Sequence, residues 1–284
     1  LNLNMWKRVF TMKISGNIKY HIVLIAALFI SLMPIIFAIS TSFKELSEAY
    51  SNVLGIIPIK PTLDNYLRAF NGLPLGRIIY NTFIVAAVVT IFKIGTSLLA
   101  AYAFVYFKFP GKNILYFLLI STIFIPFTIT MIPNYLLVAQ MGLRNNIIGV
   151  ILPQLSDATG IFLIRQAMRL IPTSLIEAAQ LEQASHLQIL SGIVLPLIRP
   201  AVISTSIMFF INAWNEYVWP VLILKDTSNY TLPLALQLFI SSEGGTDFSM
   251  AMAVAVITMI IPLGLYLVFQ RYIINTFTSS GIKG

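Results

Sequence analysis

The stretch SLIEAAQLEQASHLQILSGIVLP, residues 174–196, is polar and alanine-rich in a chain that is otherwise apolar. It carries Glu177 and Glu182, three glutamines and His186, and it lies between two long apolar runs. Pro172 stops the run before it, and Pro196 and Pro200 break the chain before the run after it. Ser174 followed by Glu177 fits a capping box that would open a short helix. Leu175, Ala178, Ala179 and Leu181 then give that helix one small, smooth apolar face, and Ala184 to Ser191 could form a second short helix. An interfacial helix that touches only lipid should carry Lys and Arg on its polar face. Residues 174–196 have neither, so docking into a groove of another protein is the preferred reading over lipid contact.

The surroundings of this stretch are a membrane protein. Of the 284 residues, 58% are hydrophobic and 10% charged, with a mean hydropathy of +0.87. A soluble domain has about 25% charged residues. There is no cysteine, and the two histidines, His21 and His186, are far apart, which makes a histidine-rich metal site unattractive. The net charge of +8 fits anionic lipid on a cytoplasmic face better than nucleic acid.

Counting about 20 apolar residues per crossing gives an all-α membrane protein with six spans. They are expected at Ile22–Ser40, Ile79–Phe107, Ile114–Val138, Ile147–Met168, Ala201–Leu224 and Met250–Phe269. The first is too long for a signal-peptide core and lacks a cleavage pattern. Lys and Arg in the flanks then set the orientation. Eleven fall in the N-terminus, the second and fourth loops and the tail, and six fall in the remaining loops, where acids offset them. Both termini and the 174–196 stretch are therefore expected in the cytoplasm. The loops at 41–78 and 225–248 are expected outside, the latter with LPLALQLFI as a short helix or re-entrant piece.

The order EAA, three residues, one further position, nine residues, then I-x-LP occurs here as Glu177-Ala178-Ala179, Gln183, then Ile193, Leu195 and Pro196. This resembles the signature of type I ABC importer permeases. AAYAFVYFKFPGK (100–112), IPNYLLVAQMGLRNNIIGVILP (132–153), GIFLIRQAMRLIP (160–172) and WNEYVWPVLIL (214–224) resemble the smaller permease of maltose-type sugar importers. The resemblance covers about residues 75–284. Residues 1–74 form an N-terminal segment with the first span and an external loop, and residues 75–284 form the transmembrane domain, with its cytoplasmic coupling loop at 172–196. The resemblance implies that Glu177, Ala178, Ala179, Leu181, Glu182, Gln183 and Ala184 couple to an ABC ATPase dimer. It implies two further partners, a second homologous permease and an extracytoplasmic solute-binding protein, in a bacterial cytoplasmic (inner) membrane. The family usually has Asp-Gly where this chain has Glu182-Gln183. Glutamine reaches positive φ less readily than glycine, so either the turn is built differently or the helix runs on through Gln183.

Ionisable residues inside spans face a cavity or a partner. Asp157 lies near the middle of the fourth span, with Gln154 three residues before it and so on the same face of a helix. They would line a substrate path or tie helices together. Lys93, inside the second span, pairs with Asp157 or another partner, snorkels, or offers charge to an anionic solute. A lysine here also resembles importers for glycerol phosphate-type solutes. Trp214, Asn215, Glu216, Tyr217 and Trp219 form either an interfacial belt or a sugar-stacking outer gate. Pro220 would free the Glu216 carbonyl.

No G-x-x-x-x-G-K-[ST] occurs. The chain is thus expected to be a non-catalytic translocation subunit that binds no cofactor itself, with ATP and Mg at the partner ATPase. The function expected is ATP-driven, binding-protein-dependent uptake of a sugar or oligosaccharide by alternating access. An anionic solute of glycerol phosphate or acidic sugar type stays open. An ion-gradient transporter using Asp157, Glu216 and Lys93 would explain the buried charges but not the loop.

Overall fold

The computed structural model describes residues 18–240 and 247–279. The N-terminal cations at Lys7, Arg8 and Lys13, Glu243, and the end of the tail at 280–284 lie outside the described residues. Every described element is helical. In chain order these are α1 (Ile18–Ser42), α2 (Leu46–Ser51), α3 (Asp64–Gly72), α4 (Leu75–Tyr106), α5 (Lys112–Ser121), α6 (Phe127–Gln140) and α7 (Ile147–Ile151). There follow α8 (Ala158–Met168), α9 (Thr173–Leu181), α10 (His186–Ile189), α11 (Arg199–Trp214), α12 (Val218–Ile223), α13 (Leu232–Leu238) and α14 (Phe248–Ser279), with short helical turns at Thr122–Phe124, Leu152–Gln154, Leu190–Val194, Leu195–Leu197 and Thr227–Asn229 between them.

Three helices are long and apolar enough to cross a membrane by length and composition: Tyr20–Ser42, Leu75–Tyr106 and Phe248–Arg271. The count reaches six if each of three bent pairs is one span. The run expected as a straight third span is bent by 97° between Lys112–Phe124 and Phe127–Gln140. Pro126 is the cause: it lacks an N–H and pushes Ile125 into an extended backbone, φ −82° and ψ 112°. The fourth run is bent by 46° between Ile147–Gln154 and Ala158–Met168, after Pro153. The fifth is broken again at 215–217, between α11 and α12. Hydropathy runs through all of these breaks because the broken residues' neighbours stay apolar.

The central element is α4. It packs along α8 and α11, and at 1.5 Å per residue it is about 48 Å long. Its two ends organise two cores. Near its start, Leu75, Ile78, Val85 and Val89 pack with Trp214, Trp219, Ile223 and Leu232. Near its end, Ala101 and Tyr102 pack with Ile164, Met168, Ile176 and Ile189.

The loops expected to share a side do meet. At the first end Asn81 donates to the carbonyls of Ser228 and Tyr230, and the Thr82 hydroxyl accepts the Leu232 N–H at 2.8 Å. Arg68 of α3 pairs with Asp247 at 2.7 Å, next to the start of α14. Asn145, in the left-handed region at φ 56°, accepts the backbone N–H groups of Lys225 and Asp226. LPLALQLFI supplies the short helix α13, whose Leu232, Leu234 and Ala235 are buried in the first core. At the other end Tyr106 reaches the Met168 carbonyl, and Lys112 donates to the carbonyls of Val105 and Phe107, placing a cation where the last carbonyls of α4 need donors.

Candidate functional site

The 172–196 loop is a folded knuckle. Helix α9 starts two residues earlier than its sequence signature indicates: Pro172 is the N-cap, with ψ 130°, and no side chain caps the helix. Ser174 is therefore inside the first turn, and the expected Ser174–Glu177 box does not form. Proline supplies a fixed φ at the boundary and makes a side-chain cap unnecessary. The capping box sits instead at α10, where the Ser185 hydroxyl faces the Gln188 N–H and the Gln188 side chain takes the Ser185 N–H at 2.8 Å. The S-x-x-Q spacing of Ser185 and Gln188 was available in the sequence as its signal.

Between the two helices the turn is the one glycine usually makes. Helix α9 ends at Leu181, and Gln183 adopts φ 60°. The Ala184 N–H returns to the Ala179 carbonyl at 3.0 Å, and the Gln183 N–H returns to the Gln180 carbonyl at 3.0 Å. This is the reciprocal pair of a Schellman motif, with Gln183 in the left-handed position. Of the two alternatives left by the sequence, neither a rebuilt turn nor a longer helix occurs. The glutamine accepts the strain because two orphan carbonyls are satisfied by it.

The faces of α9 also sort differently from the expectation of one face made of Leu175, Ala178, Ala179 and Leu181. Ile176 and Ala179 are buried against the second core. Leu175, Glu177, Ala178, Leu181, Glu182 and Gln183 are exposed, and Leu181 is 86% exposed. Ala184 is half-buried. The inner face welds the knuckle to α4 and α8, while the outer face presents leucines beside two carboxylates. A tie that sequence reasoning missed is His186: its Nδ1 is 3.1 Å from the Tyr102 hydroxyl, and its ring meets Phe107 edge-on at 4.7 Å.

The second cluster lies halfway along α4. Lys93 and Asp157 form an ion pair at 3.0 Å, with side chains 15% and 26% exposed. Asp157 is not mid-helix. It is the N-cap of α8, its other oxygen accepting the Thr159 N–H at 2.8 Å. Here the expected helical neighbour fails: residues 155–157 are not helical, and Gln154 donates instead to the Val150 carbonyl at 2.8 Å. The Lys93 ammonium also lies 5.0 Å from the centre of the Phe209 ring. One turn along α4, buried Ser97 faces Gly160 so closely that a Cβ there would collide with the Ser97 hydroxyl and would lie 2.7 Å from the Phe209 ring. Helices α4, α8 and α11 thus meet in a tight junction with one charge pair at its edge.

The aromatic group at 214–219 divides. Trp214 and Trp219 are fully buried, donating to the carbonyls of Thr258 at 3.0 Å and Gly149 at 3.2 Å. Both are core residues, so neither a lipid-facing belt nor a sugar platform describes them in this chain. Glu216 caps α12 by accepting the Trp219 N–H at 3.1 Å. The break expected ahead of Pro220 is there, at 215–217, and the carboxylate takes up one N–H at the start of the helix that follows. Asn215 is exposed, and Glu216 and Tyr217 are half-buried.

Comparison with known proteins gives a consistent picture. The family described as binding-protein-dependent transport system inner membrane component matches residues 93–278. The sn-glycerol-3-phosphate transport system permease protein UgpE of Yersinia enterocolitica is 30% identical over 271 residues, which is 93% of this chain and 96% of the relative. The protein of that name from Rhizobium meliloti is 28% identical over 268 residues, 92% and 95% of the two chains. A bacterial ABC transporter involved in import of the acidic polysaccharide alginate has a chain that superposes with a TM-score of 0.73 at 26% identity, covering 89% of this chain and 94% of that one. A second alginate ABC transporter structure, in complex with an alginate pentasaccharide-bound periplasmic protein, shares the fold with a TM-score of 0.63 at 15% identity.

Proposed function

The chain belongs to the binding-protein-dependent transport inner membrane component family, and from that premise we propose that it is one of two permeases in an ATP-driven importer for an anionic sugar-type or phosphate-ester solute. It is a transport component of a bacterial membrane and works with a solute-binding protein. The finer parts of the reading are proposals. Six crossings place both termini and the 172–196 knuckle in the cytoplasm. An ABC ATPase dimer carries ATP and Mg and all of the catalysis. A second, homologous permease completes the path.

The observation that carries the reading is the two-faced knuckle. Ile176, Ala179 and Ile189 fix it to α4 and α8, so a push on it moves those helices rather than bending a loop. Its outward Leu175, Ala178 and Leu181, rimmed by Glu177 and Glu182, suit a groove with apolar walls and basic edges. Closure of the ATPase dimer on ATP would displace the knuckle, and differential contact in the two states would supply the free energy of the switch.

An anionic solute is favoured because Lys93 lies at the edge of this tight junction, 15% exposed and beside a carboxylate that an anion could replace. The named relatives act on glycerol 3-phosphate and alginate, both anions. Asn215, Glu216 and Tyr217 remain as candidates for a polar part of the path.

The test is reconstitution of the complex in proteoliposomes with ATP inside and no ion gradient. Uptake of glycerol 3-phosphate or an acidic oligosaccharide is expected, and Lys93→Met should reduce it more than uptake of a neutral sugar. Gradient-driven uptake by this chain alone would overturn the importer reading. Equal losses for charged and neutral solutes would overturn the role given to Lys93.

A further inference from the structure

The segment between α2 and α3 is built inside out. Lys44 is wholly buried, and its ammonium donates to the carbonyls of Asn52 at 3.0 Å and Gly55 at 2.5 Å. Glu48, also buried, accepts the N–H groups of Ile59 at 2.8 Å and Lys60 at 3.4 Å. The Ser40 hydroxyl donates to the Ile56 carbonyl, and the Thr62 N–H donates to the Phe43 carbonyl at 2.8 Å. Two charged side chains are thus directed inward to satisfy the segment's own backbone.

Its apolar side chains are directed outward. Leu54 is 89% exposed, Ile57 81% and Ile59 72%, and Val53, Ile56 and Leu63 are exposed as well. Lys60 is the one charged residue in 51–63. A loop in water shows the opposite order: water takes the backbone groups, and the apolar side chains pack. Isolated exposed apolar residues need no explanation, but a contiguous patch of them does. Here the patch is continuous with a groove of about 440 Å³ lined by Ile36, Ile39, Phe43, Ile56, Pro58 and Pro61, with Ser40 its one polar member. Ile36 and Ile39 belong to the last turns of α1, whose residues 20–33 are exposed along their whole length.

We propose that residues 53–63 dip into the outer leaflet of the bilayer beside the end of α1 and anchor this end of the chain there. Three observations select lipid as the occupant. The patch continues the surface of a helix long and apolar enough to cross a membrane. Irregular backbone can enter the apolar zone only where its polar groups are satisfied internally, and Lys44 and Glu48 do this. Lys60 has the sign that suits anionic headgroups and a stem long enough to reach them. The inference goes beyond the transport reading and uses its orientation only to name the leaflet.

The chain has no cysteine, so Ile57→Cys gives a single label site on this subunit. The complex is assembled in nanodiscs with cysteine-free partner subunits, and the site carries an NBD fluorophore. Asp64→Cys is the water-exposed reference. The expected result at position 57 is blue-shifted emission, strong quenching by phospholipids with a nitroxide near the headgroup, and weak quenching by iodide. Red emission with iodide quenching like that at position 64 would overturn the proposal. Protection from both quenchers would also overturn it, since it would show a protein covering the segment. Ile59→Cys repeats the measurement should the first variant assemble poorly. ATP-driven uptake by the labelled complex reports on the importer reading separately.

Discussion

Replacing Asp157 by asparagine separates its two roles. One carboxylate oxygen pairs with Lys93 at 3.0 Å, and the other caps α8 through the Thr159 N–H at 2.8 Å. Asparagine caps as well as aspartate does, so Asp157→Asn removes only the ion pair and leaves the Lys93 ammonium without its counter-charge. At 3.0 Å and an effective dielectric of about 20, the gross attraction is about 5–6 kcal/mol. Desolvation offsets much of this, and breaking a fully buried pair from one side costs about 3–5 kcal/mol. Water reaches both side chains here, so about 2–3 kcal/mol is expected, a drop of roughly 5–10 °C in thermal midpoint. Asp157→Ala should cost about 1 kcal/mol more, for the lost cap. Lys93→Met should cost less than Asp157→Asn, because the carboxylate it leaves behind still sits at the N-terminus of α8 with a backbone donor. The Lys93→Met, Asp157→Asn double variant should recover most of the loss. The assay is thermal unfolding of the purified chain in detergent, followed by circular dichroism and read as a double-mutant cycle. Simple additivity of the two single variants, or a neutral Asp157→Asn, would refute the reasoning.

Three further outcomes follow from the same geometry. Gln183→Gly should relieve about 1–2 kcal/mol of left-handed strain and give back about half of that to unfolded-chain entropy; hydrogen exchange at the Gln183 and Ala184 amides should slow several-fold, and faster exchange would contradict the turn described. Gly160→Ala forces a methyl against Ser97 and Phe209 and should destabilise by about 1–3 kcal/mol, read as a lower thermal midpoint. Leu181→Asp, at an 86% exposed position, should leave the midpoint unchanged while reducing co-purification of the ATPase subunit; unchanged co-purification together with unchanged transport-coupled ATP hydrolysis would remove the outer face of α9 from the interface.

Much of this architecture was legible in the sequence because lipid imposes a simple rule on length and polarity. The uninterrupted runs at α1, α4 and α14 follow from that rule alone, and so did the helix–turn–helix character of the 172–196 loop. What hydropathy could not register was direction. The 97° bend at Pro126 leaves the run apolar throughout, so an average over the window passes straight through it, although the proline itself was in view. The break at Asp157 escaped for a related reason, and so did the role of Glu216: Asp157 was weighed between lining a path and tying helices together, and Glu216 between a belt and a gate, whereas each accepts a backbone N–H at the start of a new helix. Trp214 and Trp219 could not be assigned from sequence, because an indole suits a membrane interface and a core equally well. Only the carbonyls of Thr258 and Gly149, distant in sequence, decide between the two.

These corrections bear on how the chain could transmit force. A straight six-helix bundle would leave the 172–196 loop as a hinge on flexible connections. Instead α4 is one unbroken helix, tied at its start through Thr82 and Asn81 to the segment before α13, midway through Lys93 to the cap of α8, and near its end through Tyr102 to His186. The bends fall in the shorter helices packed around it. Rigid-body displacement therefore favours α4 with α8 and the knuckle as the moving unit, and the breaks at Pro126 and 215–217 as the places where backbone rotation is taken up. A reducible bis-methanethiosulfonate cross-link between Tyr102→Cys and His186→Cys, long enough to span the space left by the two rings, should leave ATP-driven uptake intact, because those residues move together. Loss of uptake restored by reduction would show instead that the knuckle must slide against α4.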